Sequence, residues 1–96
     1  MTTLQSTIKL AYIAGPYRAA TEYEMHCNIQ VAEKAAAHAW RKGYPAICPH
    51  KNTAYMDGVV PIEQILAGDL EMLRRCNVLI LCGQWQRSQG ACAELA

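Results

Sequence analysis

A continuous apolar run at residues 78–82 (VLILC) limits the folds open to this chain more than any other feature. Apolar residues without polar alternation are typical of a strand that is buried on both faces, as strands are in parallel sheets. Two further strand candidates are residues 8–14 (IKLAYIA), which are rich in β formers and stop at Gly15-Pro16, and residues 45–48 (PAIC). The sequence therefore predicts three strands of a parallel sheet.

Two helical segments lie between these strands. Thr21 and Glu24 form a capping box that opens the first helix, and Gly43 ends it. Pro61 suits the first position of the second helix, which is predicted to run to about Arg75. The apolar positions of the first helix recur at intervals of three and four, as expected for a face that packs on a sheet: Met25, Ile29, Ala32, Ala36 and Ala39 or Trp40.

The alternation of strands and helices predicts an α/β fold, with a doubly wound parallel sheet of the flavodoxin or Rossmann-like kind and flanking helices. Ninety-six residues are enough for one domain, which we assign to residues 1–96. The sequence ends two residues after Glu94, where a further helix would only have begun. We therefore expect the sheet to lack its last element, so that either a partner subunit covers the open edge or the sequence is a truncated piece of a longer protein.

One carboxylate falls on the apolar side of the second predicted helix. At about 100° per residue, Asp69 lies within about 30° of the centre of a stripe formed by Ile62, Ile65, Leu66, Leu70 and Leu73. A carboxylate on a buried helix face is costly unless it is paired or functional. Burial would raise its pKa, as a proton donor working near neutral pH requires. An aspartate tied to a backbone amide or to an arginine would give the same pattern.

Polar residues follow the first two predicted strands at their carboxyl ends, where sheets of this kind bind their ligands. Gly15 and Pro16 make a tight turn, which Tyr17 and Arg18 continue with an aromatic ring and a cation. His50 and Asn52 follow the second strand in a segment dense in hydrogen-bonding side chains. Taken singly, Tyr17 also suits packing, Arg18 a solvated charge, and the His50 segment a loop rich in turn formers.

A third set of polar residues follows the third predicted strand. Ser88, the amide groups near Gly90, and Glu94 fall where a helix would begin. A hydroxyl and free N–H groups at a helix N-terminus suit an anion, and a glutamate one or two turns on could face the same crevice. The simpler interpretation is that Ser88 caps the helix and Glu94 lies near its positive end.

Composition excludes several classes of protein. A formal net charge of +1 gives no electrostatic sign of a nucleic-acid polymer or an anionic membrane as partner, and no apolar run approaches a membrane span. Five cysteines without a secretory signal favour free, mostly buried thiols in the cytoplasm. Cys48, His50 and another cysteine could bind zinc, but neither Cys-x-x-Cys nor a His pair at ligand spacing is present. We therefore expect no metal and no cofactor.

Together, several segments resemble the nucleoside 2-deoxyribosyltransferase superfamily, including its branch of small bacterial and phage proteins. They are residues 12–17 (YIAGPY), Asp69 ahead of residues 77–80 (NVLI), residues 49–53 (PHKNT), and the pattern Ser88-x-Gly90-x-x-x-Glu94. The resemblance spans nearly the whole chain, and the order and spacing of the motifs carry it.

Family members cleave the N-glycosidic bond of 2-deoxyribonucleosides. By position, the resemblance implies that Glu94 is the nucleophile that attacks the anomeric carbon, and that Asp69 helps to protonate the departing base or orients the nucleophile. An oxocarbenium-like transition state needs a carboxylate beside it, and a poor leaving group needs a proton. Active sites of the family often borrow a residue from a neighbouring subunit, so a homodimer or higher homo-oligomer is expected.

The residue at position 88 separates two branches of the family. Transferases that act on free nucleosides carry an aspartate there, whereas relatives that hydrolyse 2′-deoxynucleoside 5′-monophosphates carry a serine that contacts phosphate, together with an arginine equivalent to Arg18. His50 also lies where that branch has a histidine. The resemblance therefore implies that Gly15, Pro16, Tyr17, Arg18, His50, Asn52, Ser88 and Gly90 bind a small-molecule nucleotide.

Two other functions remain open at this point. One is a nucleoside 2-deoxyribosyltransferase that exchanges bases on a free nucleoside, and the other is a nucleotide-binding module without turnover. The presence of both Asp69 and Glu94 favours an enzyme, because a protein that only binds an anion gains nothing from two nearby carboxylates.

Overall fold

The computed structural model describes residues 8–54, 56 and 58–84. In chain order the elements are β1 (Ala11–Ala14), α1 (Glu22–Arg41), β2 (Ala46–Ile47), α2 (Pro49–Asn52), α3 (Ile62–Arg74) and β3 (Val78–Leu81). The strands of this part of the chain form a parallel sheet in the order β2-β1-β3. The α/β class and the parallel sheet are therefore confirmed.

The central strand, β1, forms the core of the domain. All four of its residues are buried, and Ala11 pairs with Ala46 on one side and with Val78 on the other. Because successive strand residues point to opposite faces, the two helices meet different residues of β1. Ile13 packs with Ala32 and Ala36 of α1, whereas Tyr12 and Ala14 pack with residues of α3.

Helix α1 follows the sequence prediction closely. The Thr21 hydroxyl accepts a hydrogen bond from the Glu24 amide at 3.1 Å, which confirms the cap. Gly43 follows the helix with a φ of +91°, a backbone conformation that glycine adopts without strain. The buried face consists of Ala32, Ala36 and Ala39, so Ala39 rather than Trp40 continues the stripe.

Helix α3 differs from its prediction. None of its residues is buried, and Ile62, Leu66 and Leu70 are exposed, although the sequence predicts that their stripe faces the core. Among the described residues of α3, those that pack against Tyr12 and Ala14 are Met72 and Leu73, in its last turn. The stripe gives the helix an apolar side, but in this part of the chain only the end of that side meets apolar residues of the sheet.

A short helix, α2, replaces the loop expected after the second strand. Pro49 occupies its first position, where the fixed φ of proline favours a helical turn. The amides of Lys51 and Asn52 donate to the Cys48 carbonyl at 2.9 and 3.2 Å. This turn buries His50, a consequence that the polar composition of the segment did not indicate.

No helix in the described ranges combines the length and the apolar character needed to cross a membrane.

Candidate functional site

The loop after β1, residues 15–18, passes very close to the carboxyl end of β3. A Cβ atom at Gly15 would lie 2.6 Å from the Cys82 Sγ and 2.7 Å from the Cys82 carbonyl oxygen. The Cys82 amide donates to the Ala14 carbonyl at 2.9 Å, which holds the two strand ends together. Glycine is therefore required at position 15 by this close approach.

His50 of α2 reaches the same loop from the other side. Its Nε2 lies 2.8 Å from the Pro16 carbonyl oxygen and 3.2 Å from the Gly15 carbonyl oxygen. Since both partners are acceptors, we assign the proton to Nε2, which donates to them. His50 is 6% exposed, and its Nδ1 is buried without a hydrogen-bond partner among the residues the structure describes.

The environment of His50 keeps its imidazole neutral. Burial lowers its pKa below the ordinary value of 6.5, and the carbonyls of Pro16 and Gly15 oppose that change only in part. The neutral ring also contacts Tyr17, with the ring centroids 5.8 Å apart and the planes at 69°. This edge-to-face arrangement is one that aromatic rings prefer.

Asn28 anchors the loop to α1 and was missed by the sequence analysis. Its side-chain amide donates to the Tyr17 carbonyl at 3.1 Å. A signal was available, since Asn28 is a polar residue beside Ile29 in the first half of a helix that packs on the sheet. The loop is thus held by His50, by Asn28 and by the approach of Gly15 to Cys82.

Asp69 is half-buried in the middle of α3. Burial raises the pKa of its carboxyl group above the ordinary value of 3.8. The Asp69 side chain makes no hydrogen bond or ion pair with any other residue in the described part of the chain. Glu71 on the same helix differs, because its carboxylate accepts from Arg74 at 2.8 Å and from Arg75 at 3.1 Å. The arrangement leaves Asp69 able to hold and release a proton.

The predicted site residues fall into three groups. Gly15, Pro16, Tyr17 and His50 are in contact, and Arg18 is exposed on the same loop. Two other predicted residues are not part of this contact group: Asp69 in the middle of α3, and Asn52, which is exposed and donates to the Met72 sulfur at 3.8 Å. Ser88, Gly90 and Glu94 lie outside the described residues.

The cysteines near this loop have the character of ordinary core thiols. Burial raises the pKa of both Cys48 and Cys82, which keeps the thiols protonated at neutral pH. Within residues 8–54, 56 and 58–84, no three side chains of His, Cys, Asp or Glu are placed to hold a metal ion. The contact group at this loop offers a neutral imidazole and an aromatic ring, Arg18 adds an exposed guanidinium, and the carboxyl group of Asp69 lies on α3.

Comparison with known proteins identifies one family. A family model described as "Domain of unknown function (DUF7768)" matches residues 9–96 of the chain. No curated protein and no solved structure matches it.

Proposed function

This chain belongs to the family described as a domain of unknown function (DUF7768), and from its site we propose that it is an N-glycosidase. It would cleave the bond between base and deoxyribose in 2′-deoxynucleoside 5′-monophosphates. The observation that carries this proposal is Asp69, a half-buried carboxyl group with a raised pKa and no ion-pair or hydrogen-bond partner among the described residues.

The raised pKa of Asp69 suits general acid catalysis. A purine or pyrimidine anion is a poor leaving group, so cleavage of its bond to C1′ is helped by a proton delivered as the bond breaks. A carboxyl group whose pKa is raised by burial retains that proton closer to neutral pH than an ordinary aspartate does. In this proposal Asp69 gives the proton to the base, or orients the nucleophile beside it.

Glu94 completes the reaction in this proposal, although it lies outside the described residues. Its carboxylate attacks C1′, the bond from C1′ to the base nitrogen breaks, and the electron pair leaves with the base. Water then attacks C1′, the ester to Glu94 breaks, and the water proton returns to the acid. The products are the free base and deoxyribose 5-phosphate. If a second base replaced water, the same steps would give a transferase.

The position of the loop of residues 15–18 supports the proposal that the substrate is phosphorylated. It follows the carboxyl end of β1, the central strand, beside the end of β3. The chain leaves β1 toward β2 on one side and returns to β3 on the other, so this is the point at which open α/β sheets bind ligands. Arg18 is exposed on that loop, and a charge-assisted hydrogen bond to phosphate contributes roughly 1.5–3 kcal/mol.

The fold and setting proposed with this activity go beyond the three strands described. We propose a doubly wound sheet and a cytoplasmic homo-oligomer in which a neighbouring subunit completes the site. Tyr17, Arg18, Ser88 and the Gly90 amide hold the nucleotide, and no cofactor is needed, because both steps use carboxyl groups alone.

Release of free base from each 2′-deoxynucleoside 5′-monophosphate and each free deoxynucleoside tests the proposal. We expect the native protein to release base from the monophosphates, Glu94→Gln to abolish that release, and Asp69→Asn to reduce it by about 10²–10⁴-fold, the usual contribution of an acid catalyst. Glu71→Gln, on the same helix, is the matched control and retains activity.

The other outcomes each name a different function. Base exchange between free nucleosides, without hydrolysis of monophosphates, identifies a transferase. Binding of a monophosphate that raises Tm, with no release of base, identifies a binding module. If the protein neither releases base nor binds a nucleotide, every nucleotide-directed function is contradicted.

A further inference from the structure

The geometry of the loop after β1 points to a role for His50 that differs from substrate binding: we propose that it is a positioning residue that fixes residues 15–18 through Nε2. Its N–H is shared by the carbonyl oxygens of Pro16 and Gly15 at 2.8 and 3.2 Å. Insofar as that loop holds a nucleotide, this role of His50 rests on the proposed function.

The Gly15 and Pro16 carbonyl groups need a donor because they lie beyond the paired part of β1. Beyond Ala14, which accepts from the Cys82 amide, β1 no longer pairs with its neighbours. Within the described ranges, His50 is the donor that reaches the Gly15 and Pro16 carbonyls. An unpaired carbonyl away from water is costly, so without His50 this turn would rearrange to find another partner for these two groups.

The remaining nitrogen of His50 is not placed to contact a ligand. Nδ1 is buried, and His50 as a residue is 6% exposed, so a nucleotide at the carboxyl edge of the sheet would meet the loop rather than the imidazole. The imidazole packs against Tyr17, with its centroid 5.8 Å from that of the Tyr17 ring and the planes at 69°. Its influence on a substrate therefore passes through the positions of Tyr17 and Arg18.

Two variants with an amide side chain distinguish the contribution of Nε2 from that of Nδ1. In His50→Gln the side-chain amide nitrogen overlays Nε2 and still donates toward Pro16, whereas in His50→Asn it overlays Nδ1 and cannot reach that carbonyl. Both variants remove the ring and keep an uncharged amide. A positioning role through Nε2 predicts that only the glutamine preserves the shape of the loop.

The first readout is the binding of 2′-deoxynucleoside 5′-monophosphates by titration calorimetry, with KM and kcat for base release. We expect His50→Asn to weaken binding about tenfold, the effect of one lost hydrogen bond, and to raise KM more than it lowers kcat. His50→Gln should stay within about threefold of the native protein. Equal losses in both variants, or a larger loss in His50→Gln, overturn the positioning role.

The second readout does not depend on a nucleotide. Both variants lose the ring current of the imidazole, so the two are compared with each other in ¹H–¹⁵N spectra. The amides of Tyr17 and Arg18 should shift further in His50→Asn than in His50→Gln. In the native protein, ¹⁵N spectra of the imidazole should show a protonated Nε2 and an unprotonated Nδ1. The opposite tautomer overturns the proposal even if neither variant folds. If no nucleotide binds, the proposed function fails, and these spectra still decide the role of His50.

Discussion

The two faces of the sheet are covered very differently by their helices. On one face, Ile13 is fully buried under Ala32 and Ala36 of α1. On the other, Tyr12 and Ala14 are just as buried, but α3 contributes no buried residue, and its Leu66 remains 46% exposed. Small alanines allow α1 to lie close to the strands, whereas the large side chains of Ile62, Leu66 and Leu70 on α3 remain exposed.

The difference shows what an apolar stripe can and cannot establish. Periodicity tells which side of a helix is apolar, because that depends only on the angle between successive residues. Whether this side is buried depends on the width of the surface opposite it. In the part of the chain that the structure describes, that surface ends before it reaches Ile62, Leu66 and Leu70.

Matched truncations on the two faces provide the strongest test of this difference. Ile13→Ala removes a fully buried side chain and should lower the free energy of unfolding by about 2–5 kcal/mol. Leu66→Ala removes an apolar side chain from the open face and should cost less than about 1 kcal/mol. Urea denaturation of both variants measures the two losses, and Ile13→Val, at about 0.5–1.5 kcal/mol, replaces Ile13→Ala if that variant does not fold.

Similar losses in the two truncations would contradict the comparison. They would mean that Leu66 is covered in solution. A dependence of the Leu66→Ala effect on protein concentration would then identify a second copy of the chain as the cover, because dissociation of an oligomer follows mass action.

Substitutions at Gly15 and Gly68 test how much space surrounds the loop after β1 and how much surrounds α3. At Gly15 an added methyl group meets a sulfur and a backbone oxygen of Cys82 at 2.6 and 2.7 Å, so Gly15→Ala should destabilise the protein by about 1–3 kcal/mol. At Gly68 of α3 nothing lies within 4 Å of the added methyl, and Gly68→Ala should stabilise it by about 0.5–1 kcal/mol, since alanine favours a helix. Changes of the same sign, measured as shifts in the urea midpoint, would contradict this assignment.

The sequence predicted most reliably what depends on neighbouring residues. Thr21 caps α1 as expected, and Gly43 ends it with a positive φ, because caps and turns are decided by local backbone chemistry. The parallel sheet also followed from the alternation of elements. The exposure of Leu66 could not be predicted in this way, since it depends on what lies across a tertiary interface.

The candidate site was predicted as a set of residues rather than as a structure. Tyr17 and His50 were expected after the carboxyl ends of the first and second strands, and the structure places their rings in contact. The burial of His50 and the anchor from Asn28 were not expected, because each depends on a partner 11 or more positions away along the chain. The predicted roles of Ser88, Gly90 and Glu94 stay predictions, as these residues lie outside the described ranges.

The smallest expected effect concerns Asp69, on the less covered face. Since its folded-state pKa is raised, the native protein binds this proton more tightly than the unfolded chain, and stability is lost as pH rises through about 3.8 toward the folded-state pKa. Asp69→Asn should therefore match the native protein at low pH and exceed it at pH 7, by less than about 1 kcal/mol because the side chain remains partly in water. Urea denaturation between pH 4 and 7 measures this divergence.

If Asp69→Asn is more stable than the native protein and also loses base release, Asp69 has a functional rather than a structural role. Glu71 differs from Asp69 because its carboxylate is paired with Arg74 and Arg75, so Glu71→Gln should bring no comparable gain. A half-buried carboxyl that destabilises the fold at neutral pH is understandable where its proton is used. If Asp69→Asn is instead less stable at pH 7, the carboxylate has a stabilising partner in solution, and the acid role proposed for it loses its physical basis.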